Sequence, residues 1–291
     1  MKRPRLSIII PVAPGCRPDA ALRTLRADLR GRRDAEILVV PGTHPARQRN
    51  LAAQRARGAL LYFLDHDSCV VPGTIRRLEC ALADRGAAAA GGPNLGRALH
   101  GVFSVACEAL LASPFGSPLV WRRYARGPAV AAARETSLIL CNLMIRRETF
   151  LDLGGFDPRL YPNEENEMLN RLRSAGWRAA YVPSAAVTKP RAATPARFAR
   201  ETFRYARGRM RQIWGGAAPG DAVFVGALVA ALAFAWAVIA TPAGPWLAGA
   251  YAALATAEAV RLARGRRKLV PAITALMGVR HAAYAVGRSW G

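Results

Sequence analysis

Two hydrophobic rhythms divide the chain. Over roughly its first two thirds, short apolar runs alternate with amphipathic stretches, and over the last third the apolar runs lengthen. Leu6–Val12 is a continuous, largely β-branched run closed by Pro and Gly, the pattern of a strand buried on both faces. Residues 19–30 carry Leu22, Leu25 and Leu29 on one helical side. A second strand follows at 36–40, stopped by Pro41 and Gly42. Then come a helix at 46–57, with Gly58 at its C′ position, and a third strand at 59–64. A further helix is expected at 72–85. Residues 137–145 read as another buried strand, and Arg146 to Phe150 open a short helix broken at Gly154 and Gly155. An amphipathic helix with Met168, Leu169 and Leu172 ends at Gly176 and Trp177, and residues 179–183 form a last strand. The alternation of strand and helix predicts an α/β fold with a mostly parallel sheet and right-handed crossovers. In such sheets ligands bind beyond the carboxyl ends of the strands.

The last third has another character. Ala222–Ala240 is 19 consecutive apolar residues, enough for one membrane crossing at about 20 residues per span. A turn at 241–245 leads to a second apolar segment at 246–260. The basic loop that follows (Arg261, Arg264, Arg266, Arg267, Lys268) is cytoplasmic under the positive-inside rule. The expectation is a hairpin of two spans, with a buried helical hairpin in a soluble domain as the alternative. Residues 269–279 are apolar but interrupted by Arg280 and His281, which fits a third span, a re-entrant helix or an interfacial one. Ahead of the hairpin, Arg197, Arg200, Arg204, Arg207 and Arg211 recur at spacings of 3 and 4, forming one helical stripe. Ala199, Phe203, Ala206, Met210 and Ile213 form a parallel apolar stripe. This helix is expected in the headgroup region of a membrane.

Charge sharpens that picture. The 291 residues carry 42 Lys+Arg against 19 Asp+Glu, a formal net charge of +23. From Arg191 onward there are 14 basic residues and three acids. Basic residues beside long apolar segments point to an anionic membrane surface more than to nucleic acid, which ranks last because the basic residues lack base-stacking aromatics outside the helix at 194–214. Only Lys2, Lys189 and Lys268 are lysines, so part of the high charge reflects arginine-rich composition. With 52% apolar residues the chain is not disordered. The five cysteines form no C-x-x-C pair and read as reduced thiols, and four scattered histidines argue against a histidine metal cluster. The basic start, Met1 to Arg5, precedes an apolar run too short for a signal peptide.

Two acidic clusters carry candidate chemistry. After the third strand come Asp65, His66 and Asp67. Residues two apart in extended backbone point the same way, so both carboxylates can aim at one point. Such a pair repels unless a cation or proton lies between, and a hard divalent ion that also touches phosphate oxygens resolves the conflict. The triplet equally fits an acidic turn in which Asp67 or Ser68 caps the next helix. Glu164, Glu165 and Glu167 stand at a helix start, where acids also simply complement the helix dipole.

Taken together, these segments resemble a family 2 glycosyltransferase of the GT-A fold. The matching pieces, in order, are LSIIIPV, AEILVV, the helix from ARQRN to ARG, LLYFLDHDS, CNLMIRRETF, LGGFDPRLYPNEENEMLNRLRSAGW and YVPSAAV, and the resemblance spans roughly residues 6–214. The resemblance implies transfer of a sugar from a nucleotide diphosphate sugar to an acceptor, usually with inversion. It puts a Mg²⁺ or Mn²⁺ cofactor on Asp65 and Asp67, donor contacts at Pro11, Val12, Arg49, Asn50 and Asp65, and the acceptor-side acids at Glu164 and Glu165. The second acid of that motif is usually the general base, here Glu165, a Glu where Asp is common, with Glu164 as the alternative base. Arg204 and Tyr205 lie in a divergent form of a Gln-x-x-Arg-Trp motif and are candidates for acceptor or diphosphate contact. The chain departs from the family at Ala13–Pro14–Gly15 and at Pro41–Gly42–Thr43, where two nucleotide contacts are expected. The helix start at Arg47–Asn50 either replaces those contacts or is a solvated basic face.

The expected organisation is a nucleotide-sugar-binding half at 1–100 and an acceptor-binding half at 101–192. An amphipathic interfacial helix at 193–216 and a transmembrane hairpin plus a third apolar segment at 217–291 complete it. The expected function is a metal-dependent inverting glycosyltransferase at the cytoplasmic membrane, its catalytic domain facing the cytosol. Its partners would be a nucleotide diphosphate sugar, a lipid-linked or surface-glycan acceptor and membrane lipids. The rivals are a polyprenyl-phosphate sugar synthase, whose phosphate acceptor needs no strong base, and an inactive scaffold.

Overall fold

The computed structural model describes residues 4–97, 101–192, 194–216 and 222–289. Met1 to Arg3 and the expected domain start at 217 lie outside them. The chain divides into two compact units: residues 1–98 with 119–190, and residues 99–118 with 191–291.

The first unit begins β1 (Leu6–Val12), α1 (Asp19–Asp28), β2 (Ala35–Pro41), α2 (Pro45–Arg55), β3 (Leu60–Leu64). These five elements follow the predicted pattern closely. Beyond them come β4 (Cys69–Val70), α3 (Thr74–Ala81), β5 (Ala87–Gly91) and β6 (Asn94–Gly96). The second unit contributes α4 (Gly101–Leu111). The first resumes with β7 (Asn142–Arg146), α5 (Arg147–Asp152), α6 (Glu164–Ser174), β8 (Arg178–Tyr181) and β9 (Val187–Lys189).

A six-stranded sheet runs β2-β1-β3-β7-β5-β8, and a three-stranded sheet runs β4-β9-β6. In the larger sheet only β7 opposes its neighbours, so the fold is α/β with a mostly parallel sheet. Strand alternation sends Ile8 and Ile10 into one apolar layer and Ile9 into the other. That two-sided burial is why β1 reads as unbroken apolar sequence. One layer is closed by three aromatic rings, Phe63, Phe150 and Phe156, with centroids 4.9–5.2 Å apart.

Several expectations are corrected. Only Asn142–Arg146 of the predicted strand at 137–145 pairs in the sheet, while Leu138, Leu140 and Cys141 are buried without being strand. The helix expected at 72–85 is confined to Thr74–Ala81. Gly58 is not a left-handed cap. A Cβ there would come within 2.6 Å of the Leu6 and Ser7 backbone, so glycine is required where the chain passes β1.

The second unit holds α4, α7 (Pro195–Gly215), α8 (Ala222–Ala240), α9 (Gly244–Ala263) and α10 (Val270–Ser289). Thr194 caps α7 by accepting from the Arg197 N–H at 3.2 Å. The predicted arginine stripe of α7 is exposed along its whole length. Its apolar side, with Ala206, Met210 and Ile213 buried, is covered within the unit, where α7 and α10 approach so closely that a Cβ on Gly287 would lie 2.6 Å from the Phe203 carbonyl oxygen. Residues 270–279 prove to belong to one continuous helix, α10, which runs on through Arg280, whose Nε donates to the Gly116 carbonyl at 2.6 Å. Among the described residues, the helices long and apolar enough to cross a membrane are Ala222–Ala240 and Arg267–Gly287. Gly244–Ala263, expected as the second half of a hairpin, is long enough but insufficiently apolar, carrying Glu258 and Arg261.

Candidate active site

The two acidic clusters meet beyond the carboxyl end of β3. Asp65 to Ser68 form a turn, with Ser68 N–H donating to the Asp65 carbonyl at 3.0 Å. The helix α2 returns from the end of β2 and presents Arg49, 5% exposed, to that turn. Arg49 Nη2 donates to Asp65 Oδ1 at 2.9 Å, and Arg49 Nη1 donates to Glu164 Oε1 at 3.1 Å. One guanidinium thus ties the Asp65 turn to the start of α6, Glu164 lying 115 positions from Arg49.

The small sheet completes the turn's surroundings. Cys69 lies opposite Thr188, and Gly96 opposite Lys189. This register places the end of β9 across from Asp67. Lys189 Nζ donates to Asp65 Oδ2 at 2.8 Å and lies 3.1 Å from Asp67 Oδ1, within ion-pair range though off the hydrogen-bond line. Arg97, just past β6, donates from Nη2 to the Asp67 carbonyl at 3.1 Å and from Nη1 to Cys69 Sγ at 2.9 Å.

The second acidic cluster is placed by a glycine turn and an aromatic anchor. Gly154 and Gly155 both have left-handed backbone, φ +81° and +72°. Phe156 then inserts into the three-ring cluster, and Asn50 clamps it there. Asn50 Nδ2 donates to the Phe156 carbonyl at 2.7 Å, and the Phe156 N–H donates to Asn50 Oδ1 at 2.9 Å. Both ends of the Asn50 amide are engaged in holding this loop. Arg171 braces the same turn, donating to the Leu153 and Gly155 carbonyls. The chain then enters α6 with Glu164 and Glu165 buried. Glu165 Oε1 faces Arg123 Nη1 at 3.4 Å, and Arg123 is fixed by the Glu135 and Thr136 carbonyls and by Asn166.

The electrostatics differ between the clusters. Burial would push the Asp65 carboxyl up, but Lys189 and Arg49 together outweigh it and hold it well below the usual carboxylate range. Burial first, and the neighbouring Glu165 charge second, push Glu164 up to about 7 despite Arg49. Glu165 is raised by burial as well, against the pull of Arg123. Glu164 Oε2 is buried with no hydrogen-bond partner.

Of the sequence-predicted residues, Arg49, Asp65, Asp67, Glu164 and Glu165 share this cluster. Pro11 and Val12 are buried at the end of β1, where the Val12 carbonyl accepts from Gly42 N–H and from Gln48 Nε2. Arg204 and Tyr205 are exposed on α7 and belong to the second unit. Sequence reading missed Lys189, Arg97 and Arg123 as parts of the site. The one signal for Lys189 is its being a lysine in an arginine-rich chain.

The residues fit a hard divalent cation. Two carboxylates of one turn converge on a point that a positive charge, the Lys189 ammonium, already marks. No group of three or more His, Cys, Asp or Glu side chains comes together for a metal among the described residues. Asp65 and Asp67 would hold such an ion, and phosphate oxygens and water would complete the shell.

Comparison with known proteins bears on this arrangement. Residues 3–208 match the model of the family described as glycosyltransferase like family 2. The chain belongs to that family and is a glycosyltransferase with a GT-A-like fold. Among solved structures it is similar to a mannosyltransferase from Pyrobaculum calidifontis, solved with GDP-Man and Mn²⁺. Identity there is 21%, coverage is 99% of this chain and 88% of that one, and the TM-score is 0.62. TarS from S. aureus is 11% identical over 94% of this chain and 55% of its own, with a TM-score of 0.48, too low to build on. No curated protein sequence matches the chain.

Proposed function

We propose that the protein is a metal-dependent inverting glycosyltransferase. It moves a sugar from a nucleotide diphosphate sugar to a lipid-linked or surface-glycan acceptor at the cytoplasmic face of the inner membrane. The observation that carries this reading is the Arg49 bridge. It holds Asp65, on the donor side, and Glu164, on the acceptor side, to one side chain 2.9 and 3.1 Å away. A displacement needs a leaving group and a base on opposite faces of one sugar carbon, and this link fixes the start of α6, where Glu165 follows Glu164, relative to the Asp65 turn.

In this reading Asp65 and Asp67 hold Mg²⁺ or Mn²⁺, which when bound offsets the charge developing on the departing diphosphate. Pro11 and Val12 line the donor side at the end of β1. Arg49 orients Asp65, and Asn50 acts through the Phe156 loop to fix the start of α6. Glu165 accepts the proton of the attacking hydroxyl, held in place by Arg123. Residues 1–100 chiefly bind donor and residues 101–192 chiefly acceptor. The two apolar helices anchor the chain, α7 meets anionic headgroups through its arginines, and Arg204 and Tyr205 contact acceptor or diphosphate. The similar mannosyltransferase, whose structure holds GDP-Man and Mn²⁺, makes mannose donors a reasonable first choice in a panel.

The test is a panel of nucleotide sugars with Mn²⁺ on the full chain in detergent, reading free nucleoside diphosphate and melting temperature. At least one donor is expected to give turnover and a raised melting temperature. A panel in which no donor does either would leave an inactive scaffold.

A further inference from the structure

Lysine is rare in this protein, at three positions among 42 basic residues, yet a lysine stands between the two carboxylates of the Asp65 turn. The choice has a physical consequence. A guanidinium is a wide fork suited to one carboxylate side-on, as Arg49 is used here. An ammonium is a compact point charge on a flexible stem, able to sit between two acids and to leave. The Lys189 backbone is fixed by its pairing with Gly96 and by the Arg97 N–H, which donates to its carbonyl at 3.0 Å. Its side chain is 26% exposed, so it is not sealed in by protein.

Three cationic groups, Arg49, Lys189 and Arg97, already surround the two carboxylates of the turn. Asp65 is paired with both Arg49 and Lys189, and Asp67 with Lys189. A free divalent cation entering this point would meet carboxylates already neutralised and an ammonium a few ångströms away, so it gains little. A nucleoside diphosphate brings the missing negative charge and gives the ammonium somewhere else to bind.

We propose that Lys189 is the internal counter-ion of the Asp65–Asp67 pair: it holds the carboxylates together in the donor-free protein, keeps a free divalent cation out, and shifts onto the donor diphosphate when cation and donor enter together. The inference rests on the metal and donor assignment of the proposed function. It adds a residue that sets the order of loading, cation with donor and not before it.

The experiment titrates Mn²⁺ into the full-length protein in detergent without nucleotide, reading free Mn²⁺ by its paramagnetic resonance signal. Wild type is expected to bind weakly. Lys189→Met and Lys189→Gln, each checked by its melting curve, are expected to bind Mn²⁺ tighter by about 10-fold or more, since a like charge is gone and two carboxylates are left facing each other. Lys189→Arg keeps the charge and is expected to stay weak. In a second arm, with GDP or UDP and Mn²⁺ present, the Met and Gln variants should bind nucleotide about 10-fold more weakly, the scale of one lost charge-assisted hydrogen bond. Mn²⁺ affinity unchanged in both neutral variants, or raised equally in Lys189→Arg, overturns the proposal. The Mn²⁺ arm contains no nucleotide, so its outcome stands apart from the donor panel. Wild type that turns over no donor sinks the proposed function and leaves the Mn²⁺ result to be read by itself.

Discussion

Glu164 and Glu165 are adjacent in sequence and held by different arginines, and the difference is testable side chain by side chain. Glu164 is 1% exposed and its folded-state pKa is pushed up to about 7, above its ordinary value of 4.5. A raised carboxyl contributes stability that is complete below the unfolded value and lost as pH rises through the folded one. Wild type therefore gives up that contribution between about pH 4.5 and 7. Glu164→Gln has no proton to lose and keeps an oxygen for Arg49, so its melting temperature relative to wild type should climb across that window. A difference flat from pH 5 to 8 would show that Glu164 is not protonated by burial. Glu165 is the proposed base, and its variant should separate chemistry from binding. Glu165→Gln is expected to lower sugar transfer by about 10² to 10⁴, the usual contribution of a positioned base, with nucleotide affinity unchanged. Near-normal turnover would remove Glu165 from that role and favour an acceptor phosphate that needs no base.

At the scale of elements, the turn before α6 is where backbone geometry and chemistry meet. Gly155 has φ +72°, and a Cβ there would lie 2.9 Å from Asn50 Oδ1, the atom that receives the Phe156 N–H. Gly155→Ala is thus strained twice and should cost about 1–3 kcal/mol, read as a lowered melting temperature together with reduced transfer as α6 shifts. A fully stable and active variant would mean that the clamp does not position the acids. This turn was legible in the sequence, as were β1 to β3, because Gly-Gly-Phe and unbroken apolar runs are local patterns. β5 was not: its sequence is Ala-Ala-Ala-Ala-Gly, which has no strand preference, and it is a strand because β7 and β8 flank it. The reversed direction of β7 was equally hidden, since an apolar run records burial and not orientation. The site divides the same way. Asp65, Asp67, Glu164 and Glu165 stand in compact motifs. Lys189 reaches Asp65 across 124 positions and Arg123 reaches Glu165 across 42, through strand register and loop packing that no local pattern announces.

For the whole molecule, the decisive feature is the apolar surface of the second unit. On α8 only Phe224 is buried, while Val223, Val229, Leu232, Phe234, Trp236 and Ile239 are exposed. A helix apolar on every side and covered by protein along only one strip is stable in hydrocarbon and costly in water. On α7 the apolar side is already packed within the unit, and what it offers outward is Arg197, Arg200, Arg204, Arg207 and Arg211. Anchoring and lipid preference should therefore come from different helices and respond differently to salt. Full-length protein reconstituted with vesicles is expected to float with neutral and anionic lipid alike and to resist release by high salt, because burial of apolar surface is not screened. Changing the five arginines to Gln should leave flotation intact and remove the preference for anionic vesicles, at about 1 kcal/mol per arginine near the surface. That preference in wild type should fade as ionic strength shortens the Debye length. Protein that stays dispersed without detergent and fails to float would mean that α8 is covered by a protein partner and not by lipid. An anionic preference unchanged by the five substitutions would move the headgroup contact to the basic loop around Lys268.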